Sequence, residues 1–441
     1  MDTEEFRLPR SQQANERLHA LIPGGAHTYA KGDDQYPENL APVISHGHGA
    51  HVWDVDGNRY LEYGSGLRSV SLGHAHPRVV EAVRREIDRG SNFVRPSVLE
   101  VEAAERFLAT VPTADMVKFA KNGSDVTTAA LRLARAATGR PRVALCGDHP
   151  FYSTDDWFIG TTPMSAGIPA AITDLTLTFP YGDLAATEEL LTRHRGEVAC
   201  LILEPATHTE PPPGYLAGLR ELADRHGCLL VFDEMITGLR WSEAGAQGLY
   251  GVVPDLSTFG KALGNGFAVS ALAGRRDLME LGGLRHTADR VFLLSTTHGA
   301  ETHSLAAATA VLTTYTEEGI TARLHAIGER LAAGVRAAAA GMGVGDHIVV
   351  RGRASNLVFA TLDENRQPSQ EYRTLFLRRL LAGGVLAPSF VVSSALTDTD
   401  IDRTVDAVAQ ACAVYRKALD AADPTPWLGG RAVKPVFRRR S

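Results

Sequence analysis

The chain is poor in the features that mark several whole classes of protein. Its 441 residues include four cysteines, Cys146, Cys200, Cys228 and Cys412, scattered too widely for a disulfide frame or a zinc cluster. Three of them begin or end apolar runs, so buried reduced thiols are expected. No apolar run approaches a membrane span, and the opening MDTEEFRLPRSQQ is acidic and polar with no apolar signal core. A cytoplasmic chain with no membrane partner is the expectation. Positive charge is not in excess: 45 Lys and Arg against 51 Asp and Glu leave a net charge of -6, which argues against a nucleic-acid partner. No G-x-G-x-x-G opens a helix after the first strand, and the GKA that contains Lys261 lacks the hydroxyl and upstream glycine of a Walker loop. His27, His46, His48, His51, His74 and His76 fall mostly in loops without metal-ligand spacing, so no metal site is expected.

What remains is an ordinary globular composition, 44% hydrophobic and 22% charged, on a chain long enough for two domains. RVALC (142–146), ACLILEP (199–205) and CLLVFDE (228–234) read as buried parallel strands. GYLAGLRELADRHG lies between the last two with helical periodicity and closes on Gly227. Strand, helix and strand in succession imply a right-handed crossover and an α/β fold with a mostly parallel sheet. The DG within HVWDVDGNRYLEY marks a hairpin. The expected organisation is an N-terminal segment (1–70) joining a smaller domain, a large domain (71–315), a small α+β domain (316–420) and a basic tail (421–441). GGRAVKPVFRRRS in that tail holds five basic residues and no acid, which reads as a solvated end, an arm on a neighbouring subunit, or a site for a phosphate-bearing substrate.

Chemistry concentrates at a few points. In DLSTFGKALGNGFAVSALAG a single lysine, Lys261, stands between an apolar run and a glycine-rich loop. It is either a snorkelling surface lysine or an amine desolvated enough to attack a carbonyl. A helix is predicted from NGSD onward, with Val126, Ala129, Ala130, Leu133, Ala134 and Ala137 on one face and Arg132 and Arg135 pointing away. Its start, at Gly123 and Ser124, is either a capped helix end or an anion site. Asp233 closes an apolar strand, where it either closes a loop or meets a cation such as a protonated pyridine nitrogen. Phe151 or Tyr152 either stacks on a flat ring or packs in the core. Thr296, Thr297 and His298 either donate to an anion or cap the small-residue helix that follows.

In order, these motifs resemble the class III aminotransferases, fold type I enzymes dependent on pyridoxal phosphate, and within them the glutamate-1-semialdehyde 2,1-aminomutase branch. The similarity runs from IPGGAHTYAKG through VWDVDGNRYLEY, LGHAHP, KNGSDVTTAALRLARAATGR, LILEP, DEMITGLR and GKALGNGFAVSALAGRRDLM to DTDIDRTVDA. The resemblance implies that Lys261 is the Schiff-base lysine and later moves a proton, and that Asp233 pairs with the cofactor's ring nitrogen. It implies phosphate contacts from Gly123 and Ser124, with Thr297 reaching in from the partner of a homodimer whose sites lie at the interface. It places Glu204 near the cofactor, Phe151 or Tyr152 on one ring face and Met235 on the other. Small-molecule amino donor and carbonyl acceptor are the implied partners.

Three departures fall on the substrate side. Leu67 stands where the aminomutases carry tryptophan. Lys31 replaces an arginine that holds the substrate carboxylate, and PSFVVSSAL is shortened and lacks a glutamate. They point to a different substrate, with Lys31 and Arg68 as its ligands and a sugar- or cyclitol-like acceptor. The competing readings are an aminomutase or racemase/epimerase of the same fold, and a non-catalytic scaffold.

Overall fold

The computed structural model describes residues 6–439. The chain divides into two compact units, one built from 1–65, 71–76 and 322–441, the other from 66–70 and 77–321.

The second unit is organised by a seven-stranded sheet. Its strands are β1 (Met116–Ala120), β2 (Arg142–Cys146), β3 (Thr176–Phe179), β4 (Val198–Leu203), β5 (Leu229–Asp233), β6 (Leu256–Phe259) and β7 (Ser270–Gly274). Their order across the sheet is β1-β7-β6-β5-β4-β2-β3. Only β7 runs antiparallel to its neighbours. Every residue of β4 is buried, as a central strand covered on both faces requires. The crossover helix Tyr215–His226 ends where expected, on Gly227 with φ 63°. Its buried Leu216, Leu219, Leu222 and Ala223 pack with Leu201, Leu203, Leu230 and Phe232 of β4 and β5. All four cysteines are buried free thiols.

The helix Gly123–Thr138 follows β1 directly and buries Val126, Ala129, Ala130, Leu131, Leu133 and Ala134. One expected core position fails: Ala137 is exposed, because it lies in the last turn before the helix stops at Gly139 (φ 68°).

The first unit holds the predicted hairpin, His51–Asp54 against Arg59–Glu62, turning at Gly57 with φ 93°. The helix Asp398–Ala421 opens with a reciprocal cap, in which the Thr397 N–H donates to Asp400 (3.0 Å) and the Asp400 N–H to Thr397 Oγ1 (3.2 Å). The basic C-terminal segment, expected in solvent or on a second subunit, lies instead along its own chain. Arg438 pairs with Asp34 at 2.6 Å and Arg431 with Asp33 at 4.0 Å. The Arg431 N–H donates to Glu38 (2.9 Å), the Gln35 side-chain amide donates to the Lys434 carbonyl (3.0 Å), and the Lys434 N–H donates to the Asp34 carbonyl (3.0 Å). Val433 is buried and its N–H donates to Thr374 Oγ1. The physical reason is charge complementarity with the acids at 33–38, which the sequence separates from the tail by almost the whole chain. Arg440 and Ser441 lie outside the described residues.

Candidate functional site

At the carboxyl end of a parallel strand, side chains after the last hydrogen-bonded residue face open space rather than sheet, and ligands collect there. β4 and β5 end side by side in this way, placing Glu204 and Asp233 together, and both are buried. Burial pushes the Asp233 carboxyl up to about 6, against the opposing pull of the Lys261 charge, the Met235 N–H and the Thr258 hydroxyl. Both of those donors reach Oδ1, at 3.0 and 3.3 Å, leaving Oδ2 to a cationic partner. Glu204 is likewise raised by burial and by Asp233, while Lys261 and Arg68 draw it down.

Lys261 begins a short 3-10 turn after β6, with φ at 45°. A non-glycine residue in that region is strained, and such strain concentrates where a side chain must be aimed. The chain crowds the ammonium and desolvation lowers its pKa, opposed by the charges of Glu204 and Asp233 and assisted by Arg68 and Arg240. Lys261 is half-buried, and the charges that act on its amine are those of Glu204, Asp233, Arg68 and Arg240.

Arg68 reaches the same cluster from an unusual backbone. Ser65, Gly66, Leu67 and Arg68 have φ of 46, 57, 58 and 75°, a left-handed turn that only Gly66 adopts without steric cost. Arg240, fully buried, donates from Nη2 to the Arg68 carbonyl at 3.3 Å and so helps hold the turn. Burial lowers Arg240 to about 10. Sequence reading missed Arg240 as a site residue, although it stands inside the quoted DEMITGLR.

The helix Gly123–Thr138 starts beside this cluster. The Thr154 N–H donates to Ser124 Oγ at 3.0 Å, so the Ser124 hydroxyl proton stays free to donate elsewhere. A Cβ on Gly123 would come within 3.1 Å of Met235 Sδ, and one on Gly260 within 2.7 Å. Two glycines thus let the Met235 thioether close in between the helix start and the Lys261 turn. Phe151 and Tyr152 separate cleanly: Phe151 is 44% exposed, Tyr152 is 2% exposed and lies edge-on to Phe158. The Phe151 ring is therefore the one with a face to offer. Thr297 is exposed in a loop and its carbonyl accepts from Asn92. Lys31 is exposed on the short turn Tyr29–Lys31 of the other unit. Among the described residues, no group of three or more His, Cys, Asp or Glu could hold a metal ion, and no helix is long and apolar enough to cross a membrane.

Pyridoxal phosphate fits this donor set. The site offers an amine of lowered pKa, a buried carboxylate with one oxygen uncommitted to the chain, and spare donors at the start of a 16-residue helix.

Comparison with known proteins agrees. The family profile described as aminotransferase class-III matches residues 33–411. Glutamate-1-semialdehyde 2,1-aminomutase of Roseiflexus castenholzii is 36% identical over 91% of this chain and 96% of its own. The protein of that name from Chloroflexus aggregans is 34% identical over 92% and 98%. Among solved structures, an omega-transaminase from Sphaerobacter thermophilus superposes with a TM-score of 0.83 at 27% identity, over 93% of this chain and 97% of that one. The FumI protein of Sphingopyxis sp. MTA144, solved in its PLP internal aldimine form, gives 0.86 at 26% identity, over 96% and 100%. With this profile spanning most of its length and these strands in this order, the chain belongs to the class III aminotransferases.

Proposed function

We propose that the chain is a pyridoxal-phosphate-dependent aminotransferase that moves an amino group from a small-molecule donor to a carbonyl acceptor, with Lys261 as its reactive amine. The observation that carries this reading is the pair of buried carboxylates, Glu204 and Asp233, at the sheet's carboxyl edge, with Lys261 held on a strained backbone within reach of their charge. Bound pyridoxal phosphate supplies a carbonyl carbon for amines and a ring that takes up electrons when the substrate's Cα–H bond breaks.

The chain's own residues divide the remaining work. Lys261, its pKa lowered, presents a neutral amine often enough to act as nucleophile and then as carrier of the substrate proton. Asp233 would hold the ring nitrogen in its protonated form. Gly123 and Ser124 would bind the phosphate through backbone N–H groups and the free Ser124 hydroxyl. Met235 and Phe151 would cover the two ring faces, and Glu204 would supply the second negative charge beside Lys261.

A homodimer with Thr297 completing the partner's phosphate site is part of this reading. It is supported by apolar side chains left in solvent near that loop in sequence: Leu284 (81% exposed) and Phe292 (67%), together with Phe93 (53%) and Val94 (100%). Sedimentation equilibrium is expected to give twice the chain mass, and a monomer that binds cofactor tightly and turns over would exclude the shared site.

The acceptor is proposed as a hydroxylated carbonyl compound, sugar- or cyclitol-like, held by Arg68 and Lys31. Support comes from the substrate-side departures: lysine in place of arginine at 31, Leu67 in place of tryptophan, and Phe390, Val391 and Val392, all buried, in the shortened PSFVVSSAL. Arg68→Ala and Lys31→Ala should each raise KM for the acceptor by about tenfold or more, the worth of one charge-assisted contact. If neither moves KM, these residues do not hold the substrate. The aminomutase names of the two relatives favour a second reading, an intramolecular transfer. A requirement for an external acceptor in steady-state assays separates the two.

A further inference from the structure

Close behind Glu204 lies a histidine that the chemistry above does not use. His149 follows β2 by three residues, is 5% exposed, and its ring packs at 5.1 Å from that of Tyr181. The Glu204 N–H lies 3.1 Å from its Nδ1, and the Tyr152 hydroxyl lies 2.8 Å from the same atom. A backbone N–H can only donate, so Nδ1 must offer its lone pair and the ring proton must sit on Nε2. The single phenol proton then also points to Nδ1, and the Cys146 carbonyl lies farther off, 3.4 Å from the same hydroxyl. Tyr152 is tied further: its carbonyl accepts from Thr127 Oγ1 at 3.1 Å, in the helix that starts at Gly123. The imidazole is thus an acceptor on which the ends of β2 and β4 meet.

We propose that His149, locked as the neutral Nε2–H form, is a positioning residue that sets the Glu204 backbone and with it the carboxylate beside Lys261. Glu204 Cα is one bond from the amide that His149 holds, so a loosened amide frees the side chain that supports the Lys261 charge. Burial keeps this ring neutral, holding it at about 4 with His208 acting in the same direction and Asp148 opposing. The proposal rests on Lys261 being the reactive amine.

The test compares His149→Asn with His149→Leu, near-equal in size. The Asn carbonyl can accept from the Glu204 N–H in place of Nδ1, and Leu cannot. In the pyridoxal-phosphate-loaded protein, the pH midpoint of the visible band is expected to fall by about one unit in the Leu variant, a tenfold weaker hold on the Lys261-linked proton. The Asn variant should return most of the way to wild type. In the cofactor-free chain, 15N-histidine spectra should show His149, assigned by its loss in His149→Asn, with the proton on Nε2 and no titration above about pH 5. An unchanged midpoint in a folded Leu variant would overturn the proposal. So would a proton on Nδ1 in wild type, which decides the matter even if the Leu variant does not fold. Failure of the underlying reading looks different: Lys261→Ala would then keep the band while the His149 spectrum stayed as expected.

Discussion

Lys261→Ala is expected to lose activity by at least about ten-thousand-fold, with the visible band of the loaded protein absent, while the chain still folds. A nucleophile that also carries the proton has no substitute within the site, and removing such a group costs on the order of 5 kcal/mol or more in the transition state. Stability should suffer much less. The change removes a desolvated cation, and the carboxyls of Asp233 and Glu204, already raised by burial, take up protons instead of standing unpaired. The assay is absorbance with and without added pyridoxal phosphate, followed by addition of a panel of amino donors. In wild type one donor should bleach the band and a keto acid restore it. Retention of more than a tenth of the activity by the variant would remove Lys261 from the chemistry.

Asp233→Asn should lower turnover by about a hundred- to a thousand-fold, the usual worth of one preorganised charge in a dry site. Its effect on cofactor affinity should depend on pH in a definite direction. In the cofactor-free chain the carboxyl sits at about 6. A cationic ring nitrogen beside it pulls that value down, so the pairing strengthens binding fully above about pH 6 and is lost as the pH falls below it. Fluorescence titration with pyridoxal phosphate should therefore show wild type binding more tightly than Asp233→Asn at about pH 8, with the gap narrowing steadily as the pH falls below about 6. The phosphate titrates equally in both proteins and cancels in the ratio. A ratio that does not change with pH would mean that Asp233 does not meet a cation.

Much of this arrangement could be read from the chain. β2, β4 and β5 are short apolar runs with turn residues at their ends, and such runs have few alternatives to a buried parallel sheet. Once they are parallel, Glu204 and Asp233 must lie at the same edge. The positions that escaped reading depend on contacts between distant segments. Nothing local marks Arg68 as left-handed, because an arginine at φ 75° is held there by its surroundings, including Arg240 over 170 residues away. His149 stands beside the aromatics of DHPFYS with nothing local to mark its partner, an amide 55 positions downstream. Helical periodicity put Ala137 in the core because the pattern continues past the point where Gly139 ends the helix. The basic tail looked unpartnered because its partners, Asp33, Asp34 and Glu38, stand near the other end of the sequence.

That clasp between residues 33–38 and 431–438 has a consequence for the order in which the molecule is made. Residues 77–321 follow one another without interruption and, with 66–70, make up one compact unit, so during synthesis this unit can fold once it has left the ribosome. The other unit cannot. Its opening third, up to Ser65, must wait through the translation of that whole insert before residues 322–439 arrive to pair with it. Until then the His51–Asp54 and Arg59–Glu62 hairpin lacks the strand Val385–Leu386 that lies parallel to it, and its edge is open. The nascent chain therefore carries an unfinished edge until Val385–Leu386 has been made, and the clasp by Arg431 and Arg438 can close only later still.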